Sequence, residues 1–355
     1  GWQVDVPKLD IDGVLREYPL NVAGSVSAAD VTGNNELSVQ TPQLVLSHGP
    51  NSIKASGELD KQWRMDLELN LPDLIKSVPD LKGHVVGDVA LRGDFKAPDV
   101  GLNLVAKGID WQQQAKVAEL SVKGNVTPLP TPSGQLSLKV NQAKYQDKVI
   151  DDVSLNFAGS QQKHRLNLDV KSNIVSTSLA LTGSLTDKPE LVWQGKLERM
   201  RLSSQQGEWR LNQPTALGFE MATEQVSVAA HCWLQADSSL CLEKDIKVGQ
   251  SGEAALALSQ FDFEQVKTFI PQTTQLQGQA DANVWAKWGD NQPPQVKAKI
   301  ELAKGEVVQK LEQPLELGWE NAILTAQLAD NKLSAEWLLD VADNGDISGN
   351  ATILD

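Results

Sequence analysis

The sequence predicts an all-β protein: an elongated antiparallel sheet, curled or solenoid-like, with an apolar interior groove and two short amphipathic helices. Three observations predict it. Apolar and polar residues alternate in nearly every segment, the period of a strand with one buried face. The turns are short and rich in Gly, Asn and Asp, which makes consecutive strands antiparallel neighbours. One supersecondary unit also recurs along the chain, as in folds that grow by repetition.

That unit is clearest at 71–111. Leu71, Leu74, Ile75 and Val78 fall at helical spacing; Pro72 suits a first turn and Pro79 ends the helix. After Gly83 the period becomes two, with Val85, Val89 and Leu91 on one face and His84, Asp88 and Arg92 on the other. A turn at 93–98 leads into Val100, Leu102, Leu104 and Ala106. The unit returns at 260–307, with Phe261, Phe263, Val266, Phe269 and Ile270 ahead of a hairpin that turns at Gly289 and Pro294. Its hairpin alone returns at 179–200, around Gly183 and Pro189.

The other strands follow in order. Leu20, Val22 and Val26 give one; Leu37 to Leu46 form a hairpin broken at Pro42; Ile53 leads through Gly57 to Leu59; Met65, Leu67 and Leu69 alternate with acids and amides. Further strands are centred at 117–122, 136–140, 153–157, 166–170, 226–228, 254–258, 315–319, 324–328 and 333–341. Turns are marked by Gly33-Asn34-Asn35, Asp330-Asn331 and Asp343-Asn344-Gly345. The count comes to roughly 20 to 25 strands. Nothing resembles a linker, so residues 1–355 are expected to form a single elongated trough segment of a larger chain. Such an apolar face must be hidden, either by a filled interior or by curling into a trough that stays partly open.

Hydrophobic residues make up 41%, aromatic ones only 5%, and the net charge is −14. So acidic a chain argues against nucleic acid and against anionic membrane surfaces. No apolar run reaches the roughly 18 residues of a transmembrane helix. The alternation starts at the first residues, as expected of a segment without a leader of its own.

No active site is legible. His48, His84, His164 and His231 have no companion at a metal-ligand spacing, and His84 and His164 are expected on polar faces. Gly249-Gln250-Ser251-Gly252 has the wrong spacing for a nucleophile elbow, and no phosphate-binding loop occurs. No enzyme activity, metal or cofactor is expected. The ten tryptophans are read as strand filling. Cys232 and Cys241 flank a plausible turn and, in an oxidising compartment, read as a disulfide; a metal reading with His231 lacks a fourth ligand.

The helix–proline–hairpin unit at 71–111, its echo at 260–307 and the segment HCWLQADSSLCL resemble the TamB family of translocation and assembly module subunits, within the AsmA-like group of bridge-like lipid transfer proteins. The resemblance implies an interior segment of a periplasmic protein of Gram-negative bacteria, anchored in the inner membrane and shaped as a β-taco. It implies an Omp85-type outer-membrane partner, TamA, held through parts of the chain absent here, and roles in phospholipid movement and in autotransporter and outer-membrane protein assembly. On this reading the groove carries phospholipid acyl chains between the membranes. Its expected lining is Leu102, Leu104, Leu136, Leu138, Leu155, Phe157, Leu166, Leu168, Leu179, Leu181, Val226, Val228, Leu256 and Leu258. The alternatives are a chaperone-like scaffold that offers strand edges to unfolded β-proteins and a passive spacer.

Overall fold

The computed structural model describes residues 1–30, 33, 37–187, 189–289, 292–311, 314–342 and 345–354. The expected turn residues Asn34, Asn35, Asp343 and Asn344 lie outside these. Among the described residues are 27 strands, one four-residue α-helix and one seven-residue 3-10 helix, and the described pairings are antiparallel. The chain is all-β, as the alternation predicts. Its contacts divide it into two units, Gly1–Ser176 and Thr177–Asp355.

The first unit is a meander in which each strand pairs with the next. It comprises β1 (Trp2–Leu15), β2 (Tyr18–Asp30), β3 (Ser38–His48), β4 (Asn51–Leu59) and β5 (Gln62–Leu71). The helix α1 (Leu74–Ser77) follows, then β6 (Leu81–Asp94), β7 (Ala97–Trp111), β8 (Ala115–Thr127), β9 (Ser133–Tyr145), β10 (Lys148–Ser160) and β11 (His164–Ser172). The expected hairpin break at Pro42 is a bulge instead: β3 runs through it, with the register shift between Thr41 and Leu44. A proline without an N–H is tolerated there because a bulge residue needs no ladder bond. Thr41 is buried beside it and donates its hydroxyl to the Ser25 carbonyl at 2.8 Å. Helix α1 is shorter than the spacing suggests. Its last bond runs from Val78 N–H to the Leu74 carbonyl, and extended Val78 precedes Pro79.

The second unit starts within β12 (Val175–Thr186), and its long strands are interrupted. Beside β13 (Val192–Ser204) lie two short strands end to end, β14 (Gly207–Leu211) and β15 (Thr215–Glu220). The next two tiers are likewise split, into β16 (Gln225–Val228) and β17 (His231–Gln235), then β18 (Ser238–Leu242) and β19 (Ile246–Val248). The unbroken β20 (Gly252–Asp262) pairs with both halves of the last tier. The breaks fall beside one another and are stitched: Asn212 N–H donates to the Cys232 carbonyl, Ala229 N–H to Ala216, and Ala230 N–H to the Asp245 carboxylate, at 2.8–2.9 Å. Pro214, which cannot bond in a ladder, sits in the first break.

After the 3-10 helix Phe263–Phe269 the pattern repeats. The tiers are β21 (Thr274–Gln277) with β22 (Gln279–Gly289), β23 (Gln292–Leu302) with β24 (Gly305–Gln309), then β25 (Leu315–Ala329), β26 (Lys332–Val341) and β27 (Gly345–Leu354). Trp319 is buried over the break between β23 and β24, donating its indole N–H to the Ala303 carbonyl at 2.8 Å.

Little of either unit is deeply buried. Among the described residues the buried apolar side chains are Leu59, Leu74, Ala106, Leu242, Ala280, Trp319 and Val341. The chain exposes 22382 Å². Two separate compact bodies of half its mass would together expose roughly 17,000 Å².

Candidate functional site

Cross-strand pairing turns the alternation into continuous apolar rows. In the first unit one row runs through Ile11, Val22, Leu46, Ile53, Leu69, Gly87, Leu104, Val122, Leu138, Leu155 and Leu168, one residue from each strand. A second row, two residues along, is Leu9, Gly24, Leu44, Ala55, Leu67, Val89, Leu102, Gly124, Leu136, Phe157 and Leu166. On the other side of the first row lie Leu71, Val85, Ala106, Leu120, Val140, Val153 and Val170. Residues two apart on a strand share a face, so the three rows form one apolar surface. Gly87 is where the backbone closes in: at φ +149°, a Cβ there would lie 2.1 Å from the Asn103 carbonyl oxygen. Only glycine fits that position.

The opposite face carries Lys54, Glu68, Asp88, Asn103, Lys123, Ser137, Asn156 and Asn167 in register. Lys54 pairs there with Glu68 at 3.4 Å, and Arg92 with Asp66. These pairs are exposed and contribute little to stability; they keep that face wet.

The second unit repeats the arrangement with smaller side chains. One row is Leu242, Leu256, Val284, Ala298, Ala326, Ala335 and Ala351; its neighbour is Trp233, Leu240, Leu258, Ala282, Ile300, Leu324, Trp337 and Gly349. Val226 pairs with Phe219 and Val248, and Val228 with Leu217 and Ile246, in a shorter patch on the split tiers. On the polar face, Asn283, Trp285, Lys297, Lys299, Thr325 and Glu336 border a hollow of about 450 Å³. Trp285 donates its indole N–H to Glu253 at 2.8 Å, and Lys297 stands 5.5 Å from the Trp285 ring. Ala255, Leu256, Val284, Ala298 and Ala326 line it as well, so the hollow combines hydrogen-bonding groups with apolar surface.

Of the expected lining, Leu102, Leu104, Leu136, Leu138, Leu155, Phe157, Leu166 and Leu168 come together on two adjacent rows, all half-buried. Leu256 and Leu258 stand on adjacent rows of the second unit, and Leu179 and Leu181 share a face of β12. Val226 and Leu256 are exposed, at 37% and 44%; the other twelve are half-buried. The sequence reading places Ile53, Leu69, Val122, Ala298 and Leu324 on apolar sides of strands but leaves them, like Val284, out of the lining. Tracing the register outward from each hairpin turn would have found them.

His164 corrects an expectation. It shares the parity of Leu166, stands opposite Gly159 on the apolar side with its ring 6.0 Å from that of Phe157, and donates Nδ1–H to the Ser160 carbonyl at 3.1 Å. The ring fills the space that Gly159 leaves empty. Cys232 and Cys241 are direct cross-strand partners on the face away from Leu240, with sulfurs 2.07 Å apart. His231, one residue along, faces the other way and hydrogen-bonds the Ala229 carbonyl. Among the described residues no group of His, Cys, Asp or Glu has the makings of a metal site, and no helix is long and apolar enough to cross a membrane.

Polar knots mark one margin of each apolar face. At α1, His48 donates Nε2–H to the Leu15 carbonyl at 2.8 Å and accepts from the Ser77 hydroxyl at Nδ1, 2.9 Å. Asn51 donates to both Ser77 Oγ and the Asp73 carbonyl at 2.7 Å and accepts from Asp73 N–H at 3.0 Å. Lys76 donates to Tyr18 Oη at 2.6 Å, which raises the lysine's pKa. At the 3-10 helix, Ser238 donates to the Gln260 carbonyl and accepts from Gln265, while Gln206 donates to Thr268.

Fold and site together define an all-β chain of one large antiparallel sheet whose apolar face is largely half-buried. The chain matches the family described as TamB, N-terminal domain, over residues 1–355 and belongs to that family. It is 28% identical over 357 residues to the translocation and assembly module subunit TamB of Haemophilus influenzae, an alignment that covers all of this chain and 27% of that protein. It is 20% identical over 205 residues to an uncharacterized protein of Buchnera aphidicola, covering 58% of this chain and 20% of that one. The chain thus spans about a quarter of these relatives' length. No solved structure matches.

Proposed function

We propose that the apolar rows form a bed for phospholipid acyl tails within a non-enzymatic bridge through the periplasm between inner and outer membrane. The observation that carries the reading is the row from Ile11 to Leu168: it is broken by no charge and its predicted tail-facing leucines are half-buried rather than sealed. Each methylene taken out of water contributes about 0.8 kcal/mol, so a tail gains by lying on such a surface. Because the rows repeat from strand to strand, no single position dominates, and tails are free to advance. Headgroups remain at the wet margins.

The Haemophilus relative is named a translocation and assembly module subunit. By extension this chain serves outer-membrane assembly alongside an Omp85-type partner, TamA, engaged by other parts of the full-length protein, which is anchored in the inner membrane. Native mass spectrometry of the purified chain tests the reading. Co-purifying phospholipid, lost in Leu104→Glu with the circular dichroism spectrum unchanged, supports it. A lipid-free chain that instead crosslinks through backbone edges to unfolded β-strands assigns it to chaperoning.

A further inference from the structure

We infer that the α1 margin of the first unit binds the phosphodiester of a lipid whose tails lie on the adjoining apolar rows; this rests on the tail-binding reading above. The ion-paired bases Lys54, Arg64, Arg92 and Lys107 of that unit stand on the polar face, and Lys116 pairs with Asp110. Arg16 and Lys76 differ. Among the described residues neither forms an ion pair, which Lys82 and Lys96 share with them, but Arg16 and Lys76 are tied to α1. Arg16 donates Nη1–H to the Ser77 carbonyl at 3.1 Å, and Lys76 donates to Tyr18 Oη.

One hydrogen bond each leaves most of their donors free: a guanidinium has five N–H groups and an ammonium three. Tyr18 accepts from Lys76, so its own hydroxyl hydrogen remains to be given. The groups facing these cations are Tyr18, the knot of buried His48 and Asn51 with half-buried Ser77, and Asp73, whose carboxylate helps hold the charge on Lys76. The apolar surface begins at the same place. Leu74 of α1 is buried, and Leu20 lies two residues before Val22 on the long row.

Charge selects the ligand. The chain carries −14 overall, so an anion is repelled from most of its surface and needs local cations. An arginine and a lysine together match a phosphate's several acceptor oxygens. A headgroup seated there would leave its tails over the rows without burying its charge.

The test compares two probes with identical tails, dioctanoyl phosphatidylglycerol and dioctanoylglycerol, by titration calorimetry on the whole chain. The wild type is expected to bind the phospholipid about fivefold more tightly. The double variant Arg16→Gln, Lys76→Gln should bind both probes equally, at the diacylglycerol's wild-type Kd. Arg16→Lys in a Lys76 background should keep the preference, which separates charge from folding. Equal affinities in the wild type, or a preference that survives the double variant, overturns the inference and leaves the tail bed standing. Binding of neither probe removes the tail bed, and the inference with it. Equal competition by glycerol 3-phosphate assigns the site to free phosphate esters and overturns the lipid assignment.

Discussion

The two units carry the same alternation yet expose it differently. The central row of the first is built from leucine, isoleucine and valine with one glycine, Gly87; its members from Ile53 to Leu168 are half-buried, while Ile11 and Leu46 are exposed. The corresponding row of the second falls to Ala298, Ala326, Ala335 and Ala351, and there Leu256 and Val284 are exposed. Trp337, on the neighbouring row, is 40% exposed. Exposure does not follow partner size: Leu256, paired with Leu242 and Val284, is 44% exposed, while Leu104, paired with Gly87, is half-buried. The second unit also breaks its strands where the first bends them at bulges. The pattern teaches that a shared period fixes which face is apolar, while the coverage of that face varies from strand to strand.

Small residues should therefore differ in kind between the units. Gly87→Ala in the first forces a Cβ against the Asn103 carbonyl at a positive φ and should cost about 3 kcal/mol, measured by urea unfolding. Ala298→Gly in the second should cost well under about 1 kcal/mol. Equal costs would break the comparison.

The short strands of the second unit need a staple that the long hairpins do not. Cys232 and Cys241 join β17 and β18, five residues each, with nine residues of sequence separation. Replacing both by serine should lower stability by about 2.5 kcal/mol from loop-closure entropy. Non-reducing and reducing melts of the wild type should show the same difference.

A charge on the face sharpens the contrast in coverage. Leu104→Glu places a carboxylate among half-buried leucines and should cost about 2 kcal/mol; Val284→Glu, beside alanines and water, about 0.5 kcal/mol. At the helical margins the expected effects fall between those two. Asn51→Ala, which loses three hydrogen bonds at 3% exposure, should cost about 1.5 kcal/mol, and Ser238→Ala about 1 kcal/mol. Hydrogen exchange at α1 and at the 3-10 helix would read each locally.

Much of this was legible in the sequence because strand parity is a local property. Leu102, Leu104, Leu136 and Leu138 declare their face within their own strands, and short turns fix which strands meet. His164 shows the limit of reading by polarity: its neighbours Leu166 and Leu168 set its side, whatever its own chemistry prefers. Pro42 shows another, since a proline ends a strand in isolation but a bulge carries the strand past it. The split tiers at Pro214, Ala229 and Glu243 were not legible, because a break is stabilised by bonds from the next tier, such as Asn212 to Cys232. Nor was the exposure of Leu256, whose strand partners Leu242 and Val284 lie 14 and 28 residues away in the sequence.

The meander of the first unit has a consequence for how the protein is made. Each strand from β1 to β11 finds its mate immediately before or after it in the chain, so a polypeptide emerging from one end can zip tier by tier without waiting for a distant segment. Vectorial delivery across a membrane then suits this architecture: the partly threaded chain already offers a template for the residues still to come.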